Sequence, residues 1–551
     1  MASACFGPKS FAVLLWSLTT FAATTYETQH VRTIIKSAAA CSLADALFDF
    51  ASYYADHMVL QMAPAKAVIW GYGDAGGVVT ISIFKEFDGI MKKSVHVKGN
   101  LGIWKAALDP VEHGGPYRIH AEQNFMGEIT SITIEDIFFG DVWLCGGQSN
   151  MEMTVLQIYN ASKELSEAYL YPQVRLFTAS LVYAKEELYD LAKVDLQWSL
   201  PTPETLGHGE FTYFSAVCWL FGRYLYDTLK YPIGLVESCW GGTPVEAWSS
   251  PRSLHECGLP NDGEREKRHV HDFYYEREYE SFFGPEVYSV LWNAMIHPLL
   301  NMTIKGAIWY QGEANTNLNT DLYNCTFPAM IDDWRASFHE GSEGQTQKDF
   351  PFGFVQLSTN VKTPICDNYP VIRWHQTDDF GYAPNPKMPN TFMAVAMDLC
   401  DETSPFASIH PRDKQSVARR LSLGARAVAY GETGISFQGP FPEKITIAAA
   451  DAYMNITYNQ KLHTMPANCS IFEVGCSSGP MGGRNDVQWT PVKSLSFSPQ
   501  TVTVSYKGCC AQAIAGVRYA WSDWPCDYKH CPIYSADGTL PAPPFLKYFP
   551  D

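Results

Sequence analysis

Positive charge is scarce in this 551-residue chain: 40 Lys and Arg stand against 58 Asp and Glu, for a net charge of −18. So acidic a chain lacks the broad Lys/Arg surface that phosphate backbones require, and no nucleic-acid partner is expected. It also offers no bulk attraction to an anionic small molecule, which would need one local cation to capture it. Long apolar runs are missing beyond the first 23 residues, so the remainder predicts no membrane span and no membrane partner. The paired CxxC and His spacing of a zinc site is missing too. Cys509–Cys510 and Cys526…Cys531 do not supply it, and neither a metal nor another cofactor is expected. His269 and His271 sit in a charged stretch from Glu264 to Glu280, which reads as a solvated face and not as a ligand set. Internal repeats and long low-complexity linkers are also lacking.

What remains is ordinary for a globular protein: 46% hydrophobic and 18% charged residues, on a chain long enough for two or three domains. Aromatic residues are abundant at 14%. Trp and Tyr line carbohydrate clefts, but they fill cores more often. At the N-terminus, Lys9 precedes an apolar run from Phe11 to Leu18 and then the small residues Ala22 and Ala23. That pattern predicts a signal peptide over residues 1–23. Cleavage there removes Cys5 from the fifteen cysteines and leaves an even fourteen, which suits an oxidising compartment and several disulfides of undetermined pairing. N-x-S/T sequons at Asn160, Asn301, Asn324, Asn455 and Asn468 agree with a glycoprotein of the secretory pathway, lysosomal or extracellular. Oligomeric state is not legible.

Three textures follow one another along the chain. Residues 45–140 carry short alternating segments, such as Val79–Ile83 and Tyr117–Ala121, between Gly-rich turns, and predict an antiparallel β-sandwich. From 141 to 432, short apolar runs alternate with helical patterns. The runs are Val142–Cys145, Val174–Phe177, Ile233–Val236, Ala307–Tyr310, Phe352–Gln356 and Phe392–Met397. Helices are expected around Val217–Leu225 and over Lys414–Tyr430. This alternation predicts an α/β domain with a parallel sheet whose ligands bind at the C-terminal strand ends. Strand texture returns over 433–551 as a second β-rich domain.

Chemistry-bearing residues collect at those strand ends. After Val142–Cys145 comes Gly146–Gly147–Gln148–Ser149–Asn150–Met151, where the glycines permit a sharp turn and a helix should begin near Ser149. Alone, this is most simply a Ser N-cap. A second end carries Trp240–Gly241–Gly242–Thr243, and a third Gln311–Gly312–Glu313–Ala314–Asn315. A fourth leads through Asp398 and Asp401 to Ser408–Ile409–His410–Pro411. Together they supply a hydroxyl, backbone N–H donors, carboxamides, and an imidazole near carboxylates, which are the parts of an acyl-transfer site.

These blocks resemble those of the SGNH-type (GDSL-like) hydrolases, in their sialate O-acetylesterase branch. Met58–Val59–Leu60–Gln61, Glu246–Ala247–Trp248, Ile372–Arg373–Trp374–His375–Gln376, Arg412–Asp413–Lys414 and Val517–Arg518–Tyr519–Ala520–Trp521 extend the resemblance from Phe48 to the C-terminus. The resemblance implies a three-layer α/β/α flavodoxin-like domain with accessory β domains. It implies an esterase that removes O-acetyl groups from sialic acid, with Ser149 as nucleophile and His410 as general base. Gly241 or Gly242, and Gln311 or Asn315, become oxyanion donors beside the Ser149 N–H. One departure stands out. Relatives place an Asp two or three residues before the His, where this chain has Ser408 and Ala407. The orienter of His410 is then Asp398, Glu313 or Asp401, in that order of preference, or a backbone carbonyl such as that of Ser408. Arg373 is the candidate clamp for the sialic acid carboxylate, with a structural salt bridge as the equal alternative. Another acetylated glycan such as xylan, or a non-catalytic carbohydrate-binding role, remains open at this level.

Overall fold

A computed structural model describes residues 48–260, 284–363, 368–466, 469–477, 487–492, 494–510 and 514–549. The signal segment, His269, His271 and Asn468 lie outside them.

One 20-residue strand, Glu128–Gly147, organises the molecule. Its first half is largely exposed and pairs antiparallel with Gly114–Phe125, which pairs with Val78–Lys85 and through it reaches Asp88–His96. A separate three-stranded sheet holds Asp49–Phe50, Val68–Tyr72 and Ile103–Ala107. From Ile137 to Gly147 every residue of the long strand is buried, as a strand covered on both faces must be. The change of texture at residue 141 therefore falls inside a strand, where it leaves a β-rich layer and becomes the centre of a parallel sheet.

Across that sheet the order is Val194–Ser199, Val174–Ala179, Ile233–Cys239, Glu128–Gly147, Gly306–Tyr310, Phe352–Gln356 and Thr391–Val395. Every neighbouring pair is parallel except the first, an antiparallel edge. The chain first fills one side of the long strand, laying Ile233–Cys239 beside it last, and then builds outward on the other, so the strand order reverses beside it. Such switch points are where open α/β sheets bind ligands. Gly147, Cys239 and Tyr310 are paired in register there and bring three loops to one rim.

Helices cover both faces. Trp143 lies opposite Gly306 in the ladder and Trp309 opposite Gly146, so the two indoles point to opposite faces. Trp143 packs edge-on against Phe221 of helix Ala216–Leu229. Trp309 packs edge-on against Trp334 of helix Tyr323–Gly341. Helix Lys414–Val428 lies beside Ala216–Leu229 and against Thr391–Val395. Trp70, Trp104, Trp143, Trp219, Trp248, Trp292, Trp309 and Trp334 are all fully buried, which places much of the aromatic content in the core and not in a sugar cleft.

The C-terminal residues form two four-stranded antiparallel sheets and a two-stranded ribbon. The whole is a mixed α/β protein with a large central sheet and flanking β-rich sheets. Disulfides join Cys145–Cys218, Cys257–Cys325, Cys476–Cys510 and Cys526–Cys531. The first ties the central strand to its helix across 73 residues, a closure that stabilises by about 4 kcal/mol through loop entropy. Of the adjacent pair, Cys510 is bridged and Cys509 is a free thiol.

Candidate active site

Ser149 opens a one-turn helix, Ser149–Glu152, directly after the long strand. The turn depends on Gly147, whose φ of +140° is a glycine conformation and whose added Cβ would lie 2.2 Å from the Tyr310 carbonyl oxygen. Gln148 pins the turn to its neighbour: its N–H donates to Tyr310 O at 3.0 Å, and its Oε1 accepts from the N–H of Gly312 and of Ala314, both at 3.3 Å.

His410 Nε2 lies 2.8 Å from Ser149 Oγ. Its Nδ1 lies 2.6 Å from the carbonyl oxygen of Phe406. A carbonyl only accepts, so Nδ1 carries the hydrogen and Nε2 turns a lone pair toward the serine hydroxyl. The ring packs edge-on to Phe211 at 5.2 Å. Burial pulls the imidazole down to about 4; the Phe406 carbonyl opposes that shift and Lys414 adds to it. The loop holding His410 is stapled by Ser404 Oγ to His410 O at 2.7 Å and by the Arg412–Asp401 ion pair. Within it Ala407 adopts a left-handed φ of +69°.

Neither preferred carboxylate contacts the ring. Asp398 is fully buried, accepts both Arg420 Nη groups at 2.6 and 2.8 Å, and takes the Tyr534 hydroxyl at 3.1 Å. Its charge is satisfied by Arg420 and Tyr534 while the His410 Nδ1 bonds Phe406 O, which corrects its assignment as orienter. Glu313 Oε1 accepts from Asn150 Nδ2 at 2.6 Å, and Asp401 is bonded to Arg412. Of the options open at the sequence level the backbone carbonyl remains, and it is that of Phe406, not Ser408.

Arg373 is corrected as well. It is fully buried and donates to the carbonyls of Leu357, Ser358, Ser522 and Asp523 at 2.7–2.8 Å. Its guanidinium is locked by these carbonyls between a strand end and the C-terminal region. The two carboxamides are also committed. Gln311 Nε2 donates to Thr243 O and to Asn315 Oδ1, and Asn315 Nδ2 to Glu246 Oε2 and Leu318 O. With both amide hydrogens engaged, neither side chain serves as an oxyanion donor in this arrangement. Gly241 does lie against the serine: a Cβ on it would sit 3.3 Å from Ser149 Cβ. Gly242 follows with φ +75°.

Two organisers escaped sequence reasoning. Asn150 Nδ2 donates to Glu313 and to Ile409 O at 2.8 Å, and its Oδ1 accepts from Lys414 Nζ at 2.6 Å. It thus joins three of the four strand-end loops. Lys414 is fully buried, and burial lowers it to about 7 against the opposing charge of Glu313. Both lie inside motifs already singled out, but their polar side chains resembled solvated neighbours. Of the sequons, Asn160 is exposed. Asn301 accepts from Lys105, Asn324 donates to Asp379 and Asn455 accepts from Thr503.

A serine hydroxyl under an imidazole, at the carboxyl rim of a parallel sheet, is the arrangement of an α/β esterase. The comparisons agree on that class and narrow it. The family of the carbohydrate esterase, sialic acid-specific acetylesterase matches residues 139–411, and the sialate O-acetylesterase C-terminal domain matches 443–549. Sialate O-acetylesterase of Homo sapiens is 54% identical over 505 residues, covering 92% of this chain and 93% of that protein. The Rattus norvegicus enzyme of that name is 53% identical over 514 residues, covering 90% and 94%. A solved carbohydrate acetylesterase from Xanthomonas citri superposes with a TM-score of 0.71 at 26% identity, covering 91% of this chain and 99% of that one. The chain belongs to the sialate O-acetylesterase family.

Proposed function

We propose that this enzyme hydrolyses O-acetyl esters of sialic acid through an acetyl-Ser149 intermediate. The observation that carries the mechanism is the 2.8 Å contact between Ser149 Oγ and an imidazole whose other nitrogen is tied to a neutral carbonyl. Ser149 Oγ attacks the acetyl carbonyl while His410 Nε2 takes its proton. The carbonyl π electrons move to oxygen, where the Ser149 N–H faces the negative charge. Collapse breaks the bond to the sugar oxygen, which leaves with the proton from His410. Water, deprotonated in turn by His410, then releases acetate and regenerates the serine. The site works as a Ser–His dyad.

The parallel sheet with helices on opposite faces supports the three-layer α/β/α, flavodoxin-like domain of the SGNH hydrolases as the finer fold. The disulfides and the exposed Asn160 support a glycoprotein of the secretory pathway, for which a mass loss on enzymatic deglycosylation is the check. The function is tested by acetate release from O-acetylated sialic acid and from acetylated xylan, with wild type and Ser149→Ala. Turnover of the sialic acid ester that the variant lacks is the expected result. Preference for xylan would overturn the substrate, and equal activity of the variant would overturn the mechanism.

A further inference from the structure

Glu152 stands three residues after Ser149, at the end of the same one-turn helix. Its Oε2 accepts the Gly241 N–H at 2.8 Å. A Cβ built on Gly241 would lie 2.9 Å from that oxygen and 3.3 Å from Ser149 Cβ. The carboxyl, the serine and the backbone donor therefore share one small space beside the Ser149 side chain. A carboxylate there would repel the negative charge that gathers on an acyl oxygen bound to Ser149. A carboxylic acid would donate.

We propose that Glu152 is a further donor of the oxyanion site, hydrogen-bonding the acyl oxygen through its carboxylic acid hydroxyl. The inference rests on Ser149 as nucleophile. Its proton stays on Glu152 throughout: Oγ attacks, His410 takes the serine proton, and the Glu152 hydroxyl only polarises the carbonyl oxygen. A buried acid kept neutral for this purpose is a known solution to oxyanion binding.

The surroundings favour the neutral form. Burial pushes Glu152 up to about 7, against the Gly241 N–H, which lowers it. Strand Ile233–Cys239 presents Glu237, fully withdrawn from solvent and pushed up to about 8, and the thiol Cys239, which donates to Glu237. Glu237 also accepts the Ser215 N–H, and its charge raises the thiol further, as does that of Glu152. Strand Gly306–Tyr310 contributes the Tyr310 hydroxyl, raised by burial. On helix Ala216–Leu229, Cys218 is disulfide-bonded and Arg223 is paired with Glu164, while Tyr224, Tyr226 and Asp227 lie toward its C-terminal end. Across Ser149 and Asn150 stand His410, Lys414 and Glu313. No cation donates to the Glu152 carboxyl among the described residues; its one protein donor is a backbone amide. With His410 neutral above about 4 and Glu152 neutral below about 7, the two groups bracket an acidic working range.

The test is the pH profile of kcat for wild type, Glu152→Gln, Glu152→Ala and Glu237→Gln on an uncharged acetate ester. Wild type is expected to fall on the alkaline side near pH 7. Glu152→Gln, which keeps a donor that cannot ionise, should lose that fall at a cost under about tenfold at pH 5. Glu152→Ala should lose about a hundredfold at pH 5, as oxyanion donors do. Glu237→Gln should keep an alkaline fall. An unaltered alkaline fall in Glu152→Gln, or a gain in Glu152→Ala, overturns the proposal; the latter would make Glu152 a plug. Because truncation can disturb packing, the Glu152 carboxyl is also titrated directly by carbon-13 NMR in the Ser149→Ala protein. A midpoint near 7 is expected, and one below about 5 overturns the proposal. Activity retained by Ser149→Ala would instead sink the underlying mechanism and leave that titration readable.

Discussion

The rim of the central sheet and the seam it forms with the C-terminal region both hold polar side chains away from water, and they treat them oppositely. At the seam, Asp398 faces Arg420 and Tyr534, and Arg373 faces four carbonyls, so each strong group is bonded on several sides. At the rim, the Ser149 hydroxyl meets one imidazole lone pair, and that ring is held by a single carbonyl. A carboxylate at a strand end is therefore informative only once its partners are known.

The comparison breaks most sharply at the serine. Ser149→Ala and His410→Ala should each lower kcat by about a millionfold, as loss of a nucleophile or its base does in serine hydrolases, with thermal unfolding unchanged. Acetate release over long incubations is the measurement. More than a few per cent of activity in either variant would remove the rim from the mechanism.

The seam should respond in stability. Asp398→Asn leaves the fully buried Arg420 without a counter-charge, which costs about 3–5 kcal/mol in denaturant unfolding. Arg373→Met strands four carbonyls and should cost about 3 kcal/mol or more. Any activity lost in Arg373→Met should be equal on acetylated sialic acid and on an uncharged acetate ester. A loss confined to the charged substrate would restore Arg373 as a carboxylate clamp.

These errors have one cause. The strands Val142–Cys145 and Phe352–Gln356 were legible because burial on both faces demands continuous apolar runs, and the serine turn was legible because Gly147 allows a backbone few residues adopt. Ser149 and His410 stood out as residue types whose chemistry needs one another. The orienter was not legible, because a backbone carbonyl such as that of Phe406 leaves no mark in a sequence. Arg373 and Asp398 lay in the right motifs, but the partners that complete their bonding include residues 522–523 and 534, more than a hundred positions away. Nor could spacing reveal that Gln311 bonds Asn315 within its own loop and Thr243 in the neighbouring one.

His410 gives a medium effect. Its folded value of about 4 is well below the ordinary histidine, so the free base persists into acid. The acid limb of kcat/KM should lie near pH 4, falling about tenfold per unit below it and staying flat from about 5 to 6. The sign follows from the role: a base works only when unprotonated, and a lowered pKa moves the limb down. A limb near the unperturbed value of about 6.5 would mean that the ring is far better solvated or has a carboxylate partner.

The smallest effect belongs to Glu313, and it sharpens the line between rim and seam. Its Oε1 accepts from Asn150, while its Oε2 is buried with no hydrogen-bond partner among the described residues. Burial raises its pKa, opposed by hydrogen bonds from Asn150 and its own backbone and by the charge of Lys414. The group sits beside the catalytic loops without touching His410. Glu313→Gln keeps the oxygen that Asn150 needs, so Asn150 can still hold Ile409 O and Lys414 in place. The substituted amide meets the space that Oε2 left unpaired, a penalty of about 1–2 kcal/mol at most in unfolding. The turnover rate should change by no more than about threefold, measured at pH 5 where His410 is already neutral. Were Glu313 the orienting acid, the loss would be about four powers of ten with normal unfolding. That result would replace the Phe406 carbonyl as the partner of His410 and turn the dyad into a triad.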